Sequence, residues 1–162
     1  MPLSIGACLT IPEIADHKAW LLDGQRDVEL QDFMTHEVLS GDWQSLVAAA
    51  KTALDGHTGR LGIHGPFRGL DIANQDPELQ PLITARYLKA LEVCEALGAT
   101  QMVMHSPYDH WYHNNILCLP GYRESKQEKV RKILGPVAKR AEETGVTLVF
   151  ENIQDVDPYE RA

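Results

Sequence analysis

Short apolar runs alternate along the chain with longer segments whose apolar residues recur every three or four positions. The short runs predict five β-strands, over residues 3–11, 27–33, 60–67, 100–107 and 146–153. The periodic segments predict helices over residues 12–24, 42–56, 77–97 and 122–144. Asp76 is the expected N-cap of the third helix, and Gly24, Gly98 and Gly145 are expected to end their helices. Pro136 is expected to kink the last helix.

Strands that alternate with helices favour a parallel sheet with right-handed crossovers, which is an α/β fold. Runs such as MVM (102–104) and TLVF (147–150) are apolar throughout, as expected for strands buried on both faces. An open doubly wound sheet and a (β/α)8 barrel both fit this pattern. The segment GACLTIPE (6–13) lacks the glycine-rich turn of a dinucleotide-binding fold, which weighs against that form of the open sheet.

The last residues carry the signals of another helix start. Asp157 fits an N-cap, Pro158 the first helical position and Glu160 the third residue after the cap. One turn of helix is not stable alone, and a full barrel typically needs about 250 residues. We therefore expect residues 1–162 to be one barrel domain truncated at its C-terminal end, with about five of eight units present. The alternative is a natural five-stranded domain with a frayed end.

The composition restricts which binding partners and which cellular compartment we expect. The net charge of −8 weighs against nucleic acid as the main partner, because binding to nucleic acid depends on Lys and Arg. The sequence has no apolar stretch long enough for a membrane-spanning helix, and we expect no membrane association. The three cysteines, Cys8, Cys94 and Cys118, form no CxxC pair, so we expect reduced thiols and a cytoplasmic protein.

Three predicted strands end in side chains that commonly bind metals. His64, His105 and Glu151 end the third, fourth and fifth strands. Since parallel strands place their carboxyl ends at one edge, these side chains are expected to meet there. Two imidazoles and a carboxylate suit a divalent ion such as Zn²⁺ or Mn²⁺. A single histidine at the end of a strand is more often hydrogen-bonded to the backbone than bound to a metal.

The segment YDHWYHNN (108–115) is expected to be a long loop at the same edge. Trp111 and His113 within it are candidates for binding a polyol substrate, and a merely packed loop is the alternative. His17, His36 and His57 have no partner pattern and are expected at the surface. Two weaker candidates, Asp32 and Phe33, lie at the end of the second predicted strand, at the same edge.

The segments HGPF (64–67), MVMHSP (102–107) and LVFEN (148–152) together resemble the xylose isomerase-like (β/α)8 superfamily. The sequence is most similar to its sugar phosphate isomerase/epimerase branch, which is related to the family 2 apurinic endonucleases. By this resemblance Glu151 is the first carboxylate ligand of a catalytic divalent ion, which could be Zn, Mn, Co or Mg. His64 and His105 match zinc ligands of the endonucleases and residues that more often bind substrate in the isomerases.

The resemblance implies metal-dependent isomerisation or epimerisation of a small sugar, polyol or sugar phosphate through an enediolate. Glu151 would serve as metal ligand or as the base. The family's remaining ligands come from later strands. An endonuclease-like zinc phosphodiesterase and an inactive, self-associating barrel fragment remain the alternatives. Unpaired sheet edges lead us to expect a homo-oligomer.

Overall fold

The computed structural model describes residues 5–116 and 118–157, and its centre is one parallel five-stranded sheet. The strands lie side by side in chain order, and each pairs in parallel with the next. Their bounds are β1 Gly6–Leu9, β2 Asp27–Leu30, β3 Leu61–His64, β4 Gln101–His105 and β5 Thr147–Glu151. The predicted α/β class, the five strands and their parallel pairing are confirmed.

Helices connect successive strands. Their bounds are α1 Ile11–Gly24, α2 His36–Ser40, α3 Trp43–Ala53, α4 Gln80–Leu97, α5 His110–Asn115 and α6 Tyr122–Thr144. The four long helices were all predicted, and α6 continues on both sides of Pro136. The short helices α2 and α5 were not. None of the helices in the described ranges combines the length and apolar character that crossing a bilayer requires.

Helix α4 begins three residues later than predicted. Asp76 organises the preceding turn, where its carboxylate accepts the backbone N–H of Glu78 at 2.9 Å. The helix itself begins at Gln80, which places Pro81 in the first turn. A helix starting at Pro77 would need an N–H that Pro81 lacks, so the prediction was wrong for a chemical reason visible in the sequence. The predicted end is confirmed, because Gly98 adopts φ 74°.

Helix α1 ends in a left-handed residue that is not its glycine. Gln25, one position after Gly24, has φ 44° and closes the helix. The side chain of Arg26 lies close to Gly24, and its guanidinium folds back onto Trp20. The prediction that Gly24 caps α1 is therefore wrong by one residue.

The two faces of the sheet have different surroundings. Leu30, Ile63 and Met102 occupy matching register positions and are fully buried in the core, in which the helices also take part. The opposite face carries residues such as Glu29 and Gln101, which line an open cavity of about 220 Å³. We expected strands buried on both faces. Residues 62–64 of β3 confirm this, whereas β2 and β4 alternate between buried and half-buried positions and most of β5 is exposed. The predicted helix start at Pro158 lies outside the described residues.

Gly59 and Gly135 form a matched pair for testing the packing. A Cβ on Gly59 would collide with the carbonyl oxygens of Gln25 and Arg26, the latter at 2.8 Å, whereas a Cβ on Gly135 meets nothing within 4 Å. We expect Gly59→Ala to lower the free energy of unfolding by about 1–3 kcal/mol. Gly135→Ala, inside α6, should raise it by about 0.5–1 kcal/mol. Denaturant unfolding measures both, and an unchanged midpoint for Gly59→Ala would contradict the packing described.

Candidate functional site

The carboxyl ends of β3, β4 and β5 bring three ligand-type side chains together. His105 is the register partner of Glu151, and His64 pairs with Val103, two residues before His105. The Nε2 atoms of the two histidines are 3.2 Å apart, and each is 3.6 Å from Oε2 of Glu151. The three side chains singled out in the sequence therefore converge at one point on the face of the sheet opposite the helices.

The spacing of these three atoms fits a small cation. For a triangle with sides of 3.2, 3.6 and 3.6 Å, the equidistant point lies about 2.0 Å from each corner. Bonds from Zn²⁺ to imidazole nitrogen and carboxylate oxygen have this length, about 2.0–2.2 Å. The three residues thus form a set that could hold a metal ion, each offering one ligand atom.

A backbone contact orients the imidazole of His64. Its Nδ1 lies 2.8 Å from the carbonyl oxygen of Gly65, and since a carbonyl only accepts, Nδ1 carries the hydrogen and donates it. Nε2 is then the ring atom directed at His105 and Glu151. Metal-binding histidines are commonly oriented in this way.

A glycine allows β3 to end close against β4. The N–H of Gly65 donates to the carbonyl oxygen of Val103 at 2.8 Å. A Cβ at position 65 would lie 2.9 Å from that same oxygen, so a larger residue would push the strand ends apart. The Gly-Pro step after His64 is therefore part of what holds the two histidines in contact.

His105 is held towards its neutral form. Its pKa is lowered from 6.5, chiefly because burial disfavours the charged ring and secondly because His64 is adjacent. The carboxylate of Glu151 acts in the opposite direction and is the weaker influence. A neutral imidazole is the form that binds metals, so this environment suits ligation.

Phe67 packs on both imidazoles and was not predicted. Its ring centroid lies 4.1 Å from that of His105 and 4.9 Å from that of His64. The backbone N–H of Phe67 donates to the carbonyl oxygen of Met34, which ties the segment after β3 to the segment after β2. The sequence shows that Phe67 lies three residues after His64. Only the fold shows that its ring turns back onto the two histidines.

A cavity of about 390 Å³ opens beside the cluster. His105 and Phe67 line it, and the other lining residues include Asp71, Tyr108, Asp109 and Ile153. Sequence reasoning did not select these four, because nothing in their spacing relates them before the chain is folded. The cavity gives a small polar molecule access to His105.

Neither of the two candidates from the predicted loop lines the cavity that contains His105. Their segment is not a loop but helix α5, which Asp109 caps by accepting the N–H of Tyr112 at 2.7 Å. Trp111 lines a second cavity of about 180 Å³, and His113 is among the lining residues of neither cavity. Binding of substrate by Trp111 or His113 stays a prediction.

The other candidates have structural surroundings. Asp32 accepts the N–H of Ile11 at 2.8 Å and so serves the start of α1, and Phe33 is fully buried in the core. His17 and His36 are exposed, as expected. His57 is half-buried with Nε2 2.6 Å from the carbonyl oxygen of Arg26, so the expectation of a surface residue is wrong there.

The lowered pKa of His105 predicts a pH dependence of stability. Below pH 6.5 the unfolded chain binds a proton at this position more readily than the folded protein does. The free energy of unfolding of the metal-free protein should therefore fall as pH drops from 6.5 to the lowered pKa. His105→Asn should make this fall shallower, and His17→Asn, at an exposed position, should not. Denaturant unfolding in a chelator at several pH values measures the slopes, and equal slopes for wild type and His105→Asn would contradict the prediction.

Several solved structures share this fold. The protein TTHB071 from Thermus thermophilus, soaked with ZnCl2, is 24% identical, with a TM-score of 0.64 over 93% of this chain and 56% of its own. A D-tagatose 3-epimerase-like protein is 15% identical, with a TM-score of 0.64 over 93% of this chain and 53% of its own. A sugar phosphate isomerase/epimerase from Parabacteroides distasonis ATCC 8503 is 14% identical, with a TM-score of 0.52 over 93% and 52%.

The chain spans a little over half the length of each of these structures, so its five strands correspond to part of a barrel. No curated protein matches the sequence. The profile of the family described as xylose isomerase-like TIM barrel matches residues 24–161, nearly the whole chain. The chain therefore belongs to the xylose isomerase-like TIM barrel family.

Proposed function

We propose that the protein catalyses the metal-dependent isomerisation or epimerisation of a small sugar, polyol or sugar phosphate. The observation that carries this proposal is the convergence of His64, His105 and Glu151 within 3.6 Å of one another beside an open cavity. Solved proteins with the same fold include a D-tagatose 3-epimerase-like protein and a sugar phosphate isomerase/epimerase, which makes this reaction class the natural candidate.

His64, His105 and Glu151 are the residues that would hold the ion. Two nitrogen donors and one carboxylate suit Zn²⁺, Mn²⁺ or Co²⁺ better than Mg²⁺, which prefers oxygen ligands. When bound, a divalent ion supplies Lewis acidity towards a substrate carbonyl or hydroxyl oxygen.

The residues of the chain contribute position and proton transfer. Phe67 keeps both imidazole rings in place through its ring contacts. Asp71 and Asp109 bring carboxylates to the cavity wall, where they can accept hydrogen bonds from sugar hydroxyls. The side chain of Glu151 is 46% exposed, so it is accessible to substrate as well as to an ion. It serves either as a ligand or as the base that moves a proton between neighbouring carbons.

Glu151→Gln tests both the metal and the reaction. We expect the variant to bind Zn²⁺ at least about 100-fold more weakly at pH 7, because a neutral amide replaces an anionic ligand. Titration calorimetry with Zn²⁺ alone measures the affinity. Glu128→Gln is the matched control, since it makes the same change at an exposed position on α6. Equal Zn²⁺ affinity for wild type and Glu151→Gln would remove this residue from the ligand set.

Turnover is measured on the same proteins with a panel of aldoses, ketoses and sugar phosphates in D2O. Proton abstraction next to a carbonyl exchanges that hydrogen with solvent, so NMR should show deuterium incorporation in the reactive sugar. The metal-loaded wild type and Glu128→Gln should exchange, and Glu151→Gln should not. Metal binding without exchange of any sugar would contradict the proposed reaction while leaving the metal site intact.

An endonuclease-like zinc phosphodiesterase is the second candidate. The observation in its favour is that both histidines direct Nε2 at the same point as Glu151, which is the zinc-ligand role that the endonuclease resemblance implies. The net charge of −8 weighs against a DNA substrate. Cleavage of a duplex containing an abasic site by the zinc-loaded protein would favour this candidate, and an intact duplex would exclude that activity.

The proposal also covers the oligomeric state of the protein and its cellular compartment. Strand β5 is the last strand of the sheet, and Val149, Phe150 and Ile153 are exposed there. None of the described strands pairs with the outer edge of β5, and a strand edge with apolar neighbours favours pairing, so we expect a homo-oligomer. Light scattering that finds a monomer at micromolar concentration would contradict this.

The three cysteines are unpaired, which supports a cytoplasmic protein.

A further inference from the structure

The second cavity, between helices α5 and α6, has a composition suited to a ligand. It holds about 180 Å³ and is lined by Asp71, Asp109, Trp111, Tyr122, Lys126 and Lys129 among others. Its lining thus includes a tryptophan, a tyrosine, two aspartates and two lysines. It therefore offers one apolar surface together with both donors and acceptors of hydrogen bonds.

Trp111 provides the apolar surface. It is 57% exposed, and its ring meets that of Tyr122 edge-on at 5.6 Å. This contact holds the indole in place while leaving most of it open. A rigid, half-open indole is a common feature of binding surfaces, since it offers a large contact area at little entropic cost.

The polar groups around Trp111 balance in charge. Asp71 and Asp109 each already accept a backbone N–H, from Ala73 and Tyr112, and a carboxylate can accept several more hydrogen bonds. The two lysines of the cavity offset these two carboxylates. A phosphate group would gain little here, because its attraction to the lysines is offset by repulsion from the carboxylates.

Tyr122 adds a hydrogen-bond donor. Its pKa is raised, first by burial and then by the negative charges of Asp109 and Asp71. The hydroxyl therefore keeps its proton at any physiological pH. Indole, protonated phenol, carboxylates and ammonium groups together match a neutral ring that bears several hydroxyl groups.

The 180 Å³ cavity adjoins the 390 Å³ cavity that contains His105. Asp71 and Asp109 line both the 180 Å³ cavity and the 390 Å³ cavity that contains His105. We propose that the cavity at Trp111 is a second subsite, which binds a neutral sugar ring attached to the ring that reacts beside His105. The substrate would thus be a sugar carrying a glycosyl substituent. This inference rests on the proposed function for the identity of the first ring.

Two sugars of matched chemistry test the subsite. Lactulose is a ketose carrying a second neutral ring, and D-fructose is the same ketose without it. We expect the wild type to bind lactulose more tightly than D-fructose. Trp111→Ala should weaken lactulose binding roughly tenfold and leave D-fructose binding unchanged, because only the second ring contacts the indole. Titration calorimetry or saturation-transfer NMR measures the affinities.

Two further variants control for folding and for aromatic loss. Trp111→Phe should retain most of the lactulose affinity, because a ring surface remains. Trp20→Ala removes another exposed tryptophan, 40% accessible and located on α1, and should leave both affinities unchanged. Circular dichroism that matches the wild type shows that the Trp111 variants are folded.

Four outcomes would overturn the subsite. They are absence of lactulose binding, equal affinities in wild type and Trp111→Ala, equal weakening of both sugars by Trp111→Ala, and displacement of lactulose by inorganic phosphate. The result is separable from the proposed reaction because it measures binding. A Trp111-dependent preference for lactulose without deuterium exchange of any sugar would support the subsite and contradict the reaction. Deuterium exchange of a ketose without a Trp111-dependent preference for lactulose would support the reaction and contradict the subsite.

Discussion

Everything at the candidate site depends on the hydrogen-bonded register of five parallel strands. The pairing of His105 with Glu151, and of His64 with the residue two before His105, determines which side chains reach the same point. The register is set by burial, since the alternate positions carry Leu30, Ile63 and Met102, all fully buried. A slip of one residue would expose those side chains and turn both histidines towards the helices.

Local contacts then determine the distances within the cluster. Gly65 lets β3 lie against β4, its carbonyl orients the ring of His64, and Phe67 packs on both imidazoles. Two imidazoles and a carboxylate this close are unfavourable partners for burial unless a proton or a cation lies between them. The apolar core on the far side of the sheet is separate from this cluster and packs the strands in their register.

The differences between expectation and structure are mostly local. The start of α4 could have been predicted from the sequence, because Pro81 cannot donate the N–H that an earlier start requires. The end of α1 at Gln25 could not be predicted in this way, because a left-handed conformation is uncommon for a residue other than glycine and Gly24 lies directly before it. Helix α5 was read as a loop because it is only six residues long and depends on the Asp109 cap more than on an apolar stripe.

The sequence by itself determined the order of strands and helices, their parallel arrangement and the three residues at the strand ends. These follow from periodicity, from glycine and proline positions and from the rule that parallel strands share a carboxyl edge. Only the tertiary structure decided that Phe67 packs on the histidines and that Asp71 and Asp109 lie between two cavities. It also placed Trp111 in a different cavity from His105. Such contacts join residues far apart in the chain, and no local pattern of polar and apolar positions encodes the distance between them.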